Sequence, residues 1–212
     1  MVTEPKIGVI TPVYNVIRFR NLLVDNLKRQ TYNHKNLVWY VLDDSDNNES
    51  FVDEIKKMKQ ELSPIVVKYR KLNNKVSPIG KKRNLLVKCV EESIVCHMEP
   101  DCLYHDDYIQ MSVTKLLENQ NNIVISNLGP HVFVHDDVDD WKICMSQTSE
   151  NFESSMMYTK KYYKSMGGFD VKARENEGFK LLNPKKIVNT EKELLYHLYI
   201  HPSVTNKTEL QW

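Results

Sequence analysis

The sequence predicts an α/β domain built on a mainly parallel, doubly wound sheet. Three observations point to it. Short apolar runs lack polar alternation, as in strands buried on both faces. Helical apolar stripes separate them. Polar, turn-rich clusters close each run. Strand and helix alternate in this way over roughly the first 120 of 212 residues, the pattern of parallel crossover units.

The first run is Lys6-Ile7-Gly8-Val9-Ile10-Thr11-Pro12, which Pro12 is expected to stop. Phe19, Leu22, Leu23 and Leu27 then recur at helical spacing to Gln30. Leu37 to Leu42 is a second buried run, closed by the acidic cluster Asp43-Asp44-Ser45-Asp46-Asn47-Asn48. Phe51, Ile55, Met58 and Leu62 share one helical face, which predicts a helix from Phe51 to Leu62. Ile65 to Tyr69 is a third strand, and Ile79 to Ser93 a helix with Leu85, Leu86, Cys89 and Val90 as its stripe. Ile94 to Met98 is a fourth strand, ending at Glu99-Pro100-Asp101, and Asp106 to Asn119 is helical. Beyond Ile123 the rhythm changes. Strands are expected at Ile123–Ser126, Val132–Val134 and Ser154–Tyr158, with a helix ending at Gly167-Gly168. One domain over 1–212 is expected, a nucleotide-binding half to about residue 120 and an acceptor half from about 121.

Composition narrows the function classes. Lys+Arg at 29 against Asp+Glu at 28 gives a net charge of +1, so no basic excess marks a nucleic-acid partner. No apolar run approaches the ~20 residues of a membrane span. The start lacks the basic-then-apolar order of a secretory signal. Cys89, Cys96, Cys102 and Cys144 show no zinc-like spacing, which reads as free thiols in a reducing compartment, hence a cytoplasmic setting.

In an open α/β sheet, ligands bind beyond the carboxyl ends of the strands. Those ends carry Thr11-Pro12-Val13-Tyr14-Asn15, then Asp43-Asp44-Ser45-Asp46, then Glu99-Pro100-Asp101; Gly80-Lys81-Lys82-Arg83-Asn84 adds cations nearby. Two acidic clusters with neighbouring cations suit a nucleotide diphosphate held through a divalent metal. Neither a G-x-G-x-x-G nor a G-x-x-x-x-G-K-[ST] string is present, which removes most of the case for a dinucleotide site or a P-loop.

The succession Ile10–Asn15, Val41-Leu42-Asp43-Asp44-Ser45, Lys82-Arg83-Asn84, Met98-Glu99-Pro100-Asp101 and Gly167-Gly168-Phe169-Asp170 resembles the family-2-type glycosyltransferases of the compact GT-A fold, in order and spacing from Lys6 to about Asp170. The small size and variant motifs also resemble a chlorella-virus glycosyltransferase domain, which would place it in host cytoplasm. The resemblance implies transfer from a UDP-sugar to a hydroxyl of a glycan or similar acceptor, with Mn²⁺ or Mg²⁺ as cofactor. It implies that Tyr14 packs on uracil, Pro12 and Thr11 shape the pocket, and Asp44 accepts a hydrogen bond from the base beside Asp43. Arg83 would face the pyrophosphate or order the carboxylates. Asp101 matches the last position of the family's D-x-D motif, with Glu99 at the first, and His201, in Tyr199-Ile200-His201-Pro202, matches a late metal-site histidine.

Two literal D-x-D strings, Asp44-Ser45-Asp46 and Asp137-Val138-Asp139, compete with that assignment; topology favours Glu99 and Asp101. Plain alternatives stand beside each role: a core-packing Tyr14, a solvated helix start for Arg83, a helix C-cap for Gly167-Gly168, and a solvated loop for Asp136–Asp140. The family's Glu-Asp pair is missing. Arg174-Glu175-Asn176-Glu177-Gly178 stands in its place, so Glu177 or Glu175 replaces the base, or the enzyme does not invert in the usual way. Two rivals remain. A sugar-phosphate nucleotidyltransferase would need a Gly-rich loop after the first strand, which is lacking; a non-catalytic nucleotide- or glycan-binding module would bind without turnover. The chain end leaves open a longer, multidomain protein.

Overall fold

The computed structural model describes residues 4–118, 122–128, 131–134, 141–144, 153–171 and 187–199. Its strands are β1 (Ile7–Val13), β2 (Leu37–Asp43), β3 (Val66–Lys71), β4 (Ile94–His97), β5 (Cys102–Tyr104), β6 (Ile123–Leu128), β7 (His131–Val134), β8 (Trp141–Cys144), β9 (Met156–Thr159) and β10 (Ile187–Tyr199). Its α-helices are α1 (Arg20–Lys28), α2 (Ile55–Glu61), α3 (Ile79–Cys89), α4 (Tyr108–Leu117) and α5 (Lys160–Ser165). The sheet runs β3-β2-β1-β4-β9-β6-β10-β7-β8, with β5 added to β10.

The first four strands pair in parallel, as the alternation of strand and helix predicts. Both faces of β1 and β2 are covered, which is why neither run alternates. Ile7, Val9, Leu37, Trp39 and Val41 enter the core cluster shared with Leu23 and Leu27 of α1. Ile10, Val38, Tyr40 and Leu42 enter the cluster shared with Leu86 and Val87 of α3. Gly8 lies on that second face, where an added Cβ would overlap Val90 just past the end of α3. Glycine there sets how closely the helix end approaches the sheet.

Several expectations need correction. Pro12 does not stop β1: it pairs opposite Leu42, and the strand continues through Val13. The C=O of Ile10 points toward β4, where it accepts from Met98 N. Pro12, two residues on, faces the same side beyond the last β1–β4 pair, Ile10↔His97. Its missing N–H therefore costs no ladder bond. Phe51 does not open a helix; α2 starts only at Ile55, after a turn in which the Glu54 N–H donates to the Phe51 carbonyl (3.0 Å). α3 ends at Cys89 rather than Ser93. The sheet is mixed: β9 runs antiparallel to both β4 and β6. β5, β8 and most of β10 carry no signal that sequence reading used. The loop Asp136–Asp140 lies outside the described residues.

Candidate active site

The carboxyl ends of β1 and β2 are joined by side chains rather than by their ladder alone. Asn15 takes up a left-handed conformation, φ 53°, which Asn tolerates better than most residues. From there its backbone N–H donates to Ser45 Oγ (2.8 Å), its Nδ2 donates to Asp46 Oδ2 (2.8 Å), and its Oδ1 accepts from Asp46 N (2.9 Å). The turn after β2 is thereby tied to the turn after β1.

Asp43 anchors the same turn from beneath. Its Oδ1 accepts from Ser45 N (2.9 Å), and its Oδ2 accepts from Ser50 Oγ (2.8 Å), Phe51 N (2.9 Å) and Tyr69 Oη (2.7 Å). Burial alone would raise this carboxyl; the donated hydrogen bonds outweigh it and hold the group below its ordinary value. Asp43 is 0% exposed, and the four hydrogen bonds it accepts all come from the turn it shapes and from Tyr69.

Asp44 is handled differently. Its Oδ1 pairs with the Lys82 ammonium and its Oδ2 accepts from Val76 N (2.5 Å). Lys82 also donates to the Val13 carbonyl (3.1 Å). Burial pushes the Lys82 ammonium below its usual range, with the Asp44 carboxylate acting against that shift. Tyr14, partly exposed, carries the Lys75 ammonium 3.9 Å from its ring centroid, a cation–π contact. Asp44, Ser45, Asp46, Lys71, Asn73 and Lys75 are among the residues lining a cavity of about 430 Å³. Thr11 is fully buried: its hydroxyl donates to Met98 O (2.6 Å) and accepts from Trp39 Nε1 (2.8 Å). It braces the β1, β2 and β4 ends, so any shaping of the pocket by Thr11 and Pro12 runs through the backbone.

Beyond β4, Arg83 Nη2 meets Glu99 Oε1 at 3.1 Å, both side chains being largely buried. The Glu99 backbone N–H donates to the Tyr104 hydroxyl (2.8 Å), which fixes the backbone ahead of Pro100. Burial pushes the Asp101 carboxyl up to about 6, with Arg83 and Arg18 only partly offsetting it. Desolvation, which disfavours the charged form, is the larger effect.

A family model described as Glycosyl transferase family 2 matches residues 8–173. The chain belongs to that family. Among curated proteins none matches. Solved structures similar to this family-2 chain include S. aureus TarS 1-349 in complex with UDP-GlcNAc (16% identity, TM-score 0.74, covering 94% of this chain and 60% of that one). S. aureus TarS itself matches at 17% identity and TM-score 0.70, over 92% of this chain and 37% of that one. The mannosyltransferase PcManGT from Pyrobaculum calidifontis, in complex with GDP-Man and Mn²⁺, matches at 12% identity and TM-score 0.69, over 95% and 59%. The family-2 chain thus spans 37–60% of the length of these neighbours, and the likeness establishes the GT-A fold. Nothing in these comparisons points to a viral source.

The fold brings Tyr14, Asp43, Asp44, Arg83, Glu99 and Asp101 to one edge of the family-2 sheet, at or just past strand ends and the start of α3. Glu175, Glu177 and His201 lie outside the described residues. Among those described, no group of three His, Cys, Asp or Glu side chains is set to hold a metal. The donor set that is present fits a divalent cation in part: Asp101 and Glu99 lie two residues apart past the end of β4, and Glu99 is also paired with Arg83.

Sequence reading quoted Asn15, Lys82 and Asn84 inside motifs but gave none of them an individual role, and it overlooked Lys75 and Tyr69. A signal existed for Lys82. It lies one turn before Leu86, on the inward side of α3, where a lysine requires an acidic partner. Cys89, Cys96 and Cys102 are free thiols, as expected. No helix among the described residues is long and apolar enough to cross a membrane.

Proposed function

We propose that this family-2 chain transfers a sugar from a UDP-sugar to a hydroxyl of a glycan or similar acceptor, with Mn²⁺ or Mg²⁺, in the cytoplasm. The observation that carries the reading is the buried Arg83–Glu99 pair, with the Asp101 carboxyl two residues on, at the end of the sheet where the cavity lined by Asp44 also lies. Such a combination of acid and cation is suited to a metal-bound diphosphate. A bound divalent ion would supply charge stabilisation to the departing diphosphate. Asp101 and Glu99 would hold it, with His201 as a further ligand; Arg83 would keep Glu99 oriented and face the phosphates.

Tyr14 and Asp44 would receive the base. Lys75 lies over the Tyr14 ring and Val76 N–H donates to one Asp44 oxygen. A stacking base must therefore displace Lys75 or use the opposite ring face, and it gains access to Asp44 only when the segment around Val76 moves. Glu177, or else Glu175, would take the proton of the acceptor hydroxyl. The similar solved structures are complexes with UDP-GlcNAc and with GDP-Man, so the base is the first point to test. Thermal-shift titration with UDP-, GDP- and ADP-sugars, with and without Mn²⁺, should show the largest stabilisation for a UDP-sugar with metal, following RT ln(1+[L]/Kd). Equal shifts for all bases, or shifts indifferent to Mn²⁺, would overturn the donor assignment. Binding without any release of UDP would favour the non-catalytic module.

A further inference from the structure

We infer that Asn84 is a positioning residue that clamps the Gly167–Asp170 turn to the helix carrying Arg83, and so couples the donor site to that turn. The inference rests on the donor reading above. Asn84 Oδ1 accepts from Phe169 N (2.9 Å) and from Tyr163 Oη (2.6 Å), while its Nδ2 donates to Phe169 O (3.0 Å). One amide thus holds both backbone groups of a residue 85 positions away. Only a side chain with an acceptor and a donor at this reach can do so: Asp would set an oxygen against the Phe169 carbonyl, and Ala would bond neither group.

The turn does not need Asn84 in order to cap α5. Met166 N donates to Tyr162 O, Gly167 N to Lys164 O and Gly168 N to Tyr163 O, so the helix end is closed by its own backbone. The clamp is an additional connection, and the surrounding residues are shaped for it. Gly167 and Gly168 both have φ +79°. A Cβ at Gly167 would meet nothing within 4 Å, whereas one at Gly168 would sit 2.9 Å from Asn84 Oδ1 and from Tyr163 Oη. Gly167 is thus required for its conformation alone, and Gly168 also for the space the clamp needs. The Phe169 ring is buried, with its centroid 5.6 Å from that of His97 and 5.7 Å from the Arg83 guanidinium carbon. Arg83, next to Asn84 on α3, reaches Glu99 in the other direction. Neighbouring residues on one helix therefore grip the carboxylate pair and the Phe169 turn.

Amide exchange at Phe169 in the full chain tests this. Its N–H is held by a side chain rather than by secondary structure, so its protection reports clamp closure directly. UDP with Mn²⁺ should slow Phe169 exchange about tenfold in the wild type, within the usual range of site-to-site coupling. Asn84→Ala should abolish both the protection and the response to UDP, and should weaken UDP by the same factor, because coupling between two sites is reciprocal. A structural role alone would leave Phe169 exchange indifferent to UDP, and that result would overturn the proposal. So would wild-type protection of Phe169 in Asn84→Ala. If Asn84→Ala fails to fold, Asn84→Leu keeps the side chain's size and removes both the acceptor of the Phe169 N–H and the donor to its carbonyl; it should raise Phe169 exchange while exchange in β1 and β2 stays unchanged, and unchanged exchange at Phe169 would again overturn the clamp. Failure of every nucleoside diphosphate to bind the wild type would instead sink the donor reading and, with it, the coupling, leaving a clamp without a partner site.

Discussion

Replacing Asp43 by Asn probes how the turn after β2 is held. The carboxylate accepts four hydrogen bonds, three at Oδ2 and one at Oδ1. An asparagine can place its oxygen at the threefold end, but its NH₂ then faces the Ser45 N–H. The Ser50 and Tyr69 hydroxyls can rotate to adapt; the Ser45 and Phe51 backbone amides cannot. Leaving a buried donor unsatisfied costs roughly 1–3 kcal/mol, and the remaining bonds lose charge assistance. Relief from burying a charge offsets part of this. A net loss of about 2–4 kcal/mol follows, which in a domain of this size lowers Tm by roughly 5–15 °C. The pH dependence has a fixed sign. Asp43 is held below its ordinary value of 3.8, so its contribution is present above that value and is lost as pH falls through the folded pKa. Urea unfolding of wild type and Asp43→Asn should show the full gap at pH 7 and at pH 5.5, and a closing gap below pH 4. A difference smaller than about 1 kcal/mol at pH 7 would refute the claim that this carboxylate organises the turn.

Asp101→Asn should remove Mn²⁺-dependent UDP-sugar binding and yet stabilise the metal-free protein. A folded value raised to about 6 favours the protonated form, so stability held below pH 4 is lost as pH rises through 6; the amide should recover up to roughly 3 kcal/mol at pH 8, read by urea unfolding, and a less stable variant contradicts the assignment. Lys82→Met leaves the buried Asp44 carboxylate without its cation and should cost about 3–5 kcal/mol, part of it regained in the double variant with Asp44→Asn; purely additive losses in that cycle would mean the pair is not coupled. Tyr14→Ala should weaken UDP by roughly 1–3 kcal/mol in calorimetry, and equal affinity for UDP in variant and wild type would remove Tyr14 from the base site. Glu177→Gln should cut turnover by about 10²–10⁴-fold with donor affinity intact if an acceptor base is needed; normal turnover in both Glu177→Gln and Glu175→Gln points to retention or another base.

The parallel half of the fold was legible because its strands are buried on both faces and its helices carry single stripes, and both patterns leave unbroken marks in sequence. The second half was not, because β9 enters the sheet between strands far from it in the chain and β5 is three residues long. Pairing of that kind depends on long-range neighbours, which periodicity does not record. The carboxylates of the site were found from their places at strand ends. What escaped notice was the partners that decide their state: Lys82 for Asp44, and Ser50, Phe51 and Tyr69 for Asp43. Those partners come from separate segments, and single-chain spacing says nothing of who meets whom. Pro12 was misread because proline's cost depends on which side of a strand is occupied, a property of the sheet rather than of the residue.

The place of β9 has a mechanical consequence. Lying antiparallel between β4 and β6 and bonded to both, it makes one continuous plate of hydrogen bonds out of the strands that carry the base-side groups and those that follow. Two-lobed enzymes close by bending where few bonds cross; here a bend along that line would have to break backbone ladders on one side of β9 or the other. The described part of the molecule is therefore a rigid stage. If a donor is enclosed as proposed above, the movement is expected of described segments beyond the strand ends, such as that around Val76, rather than of one half of the sheet against the other.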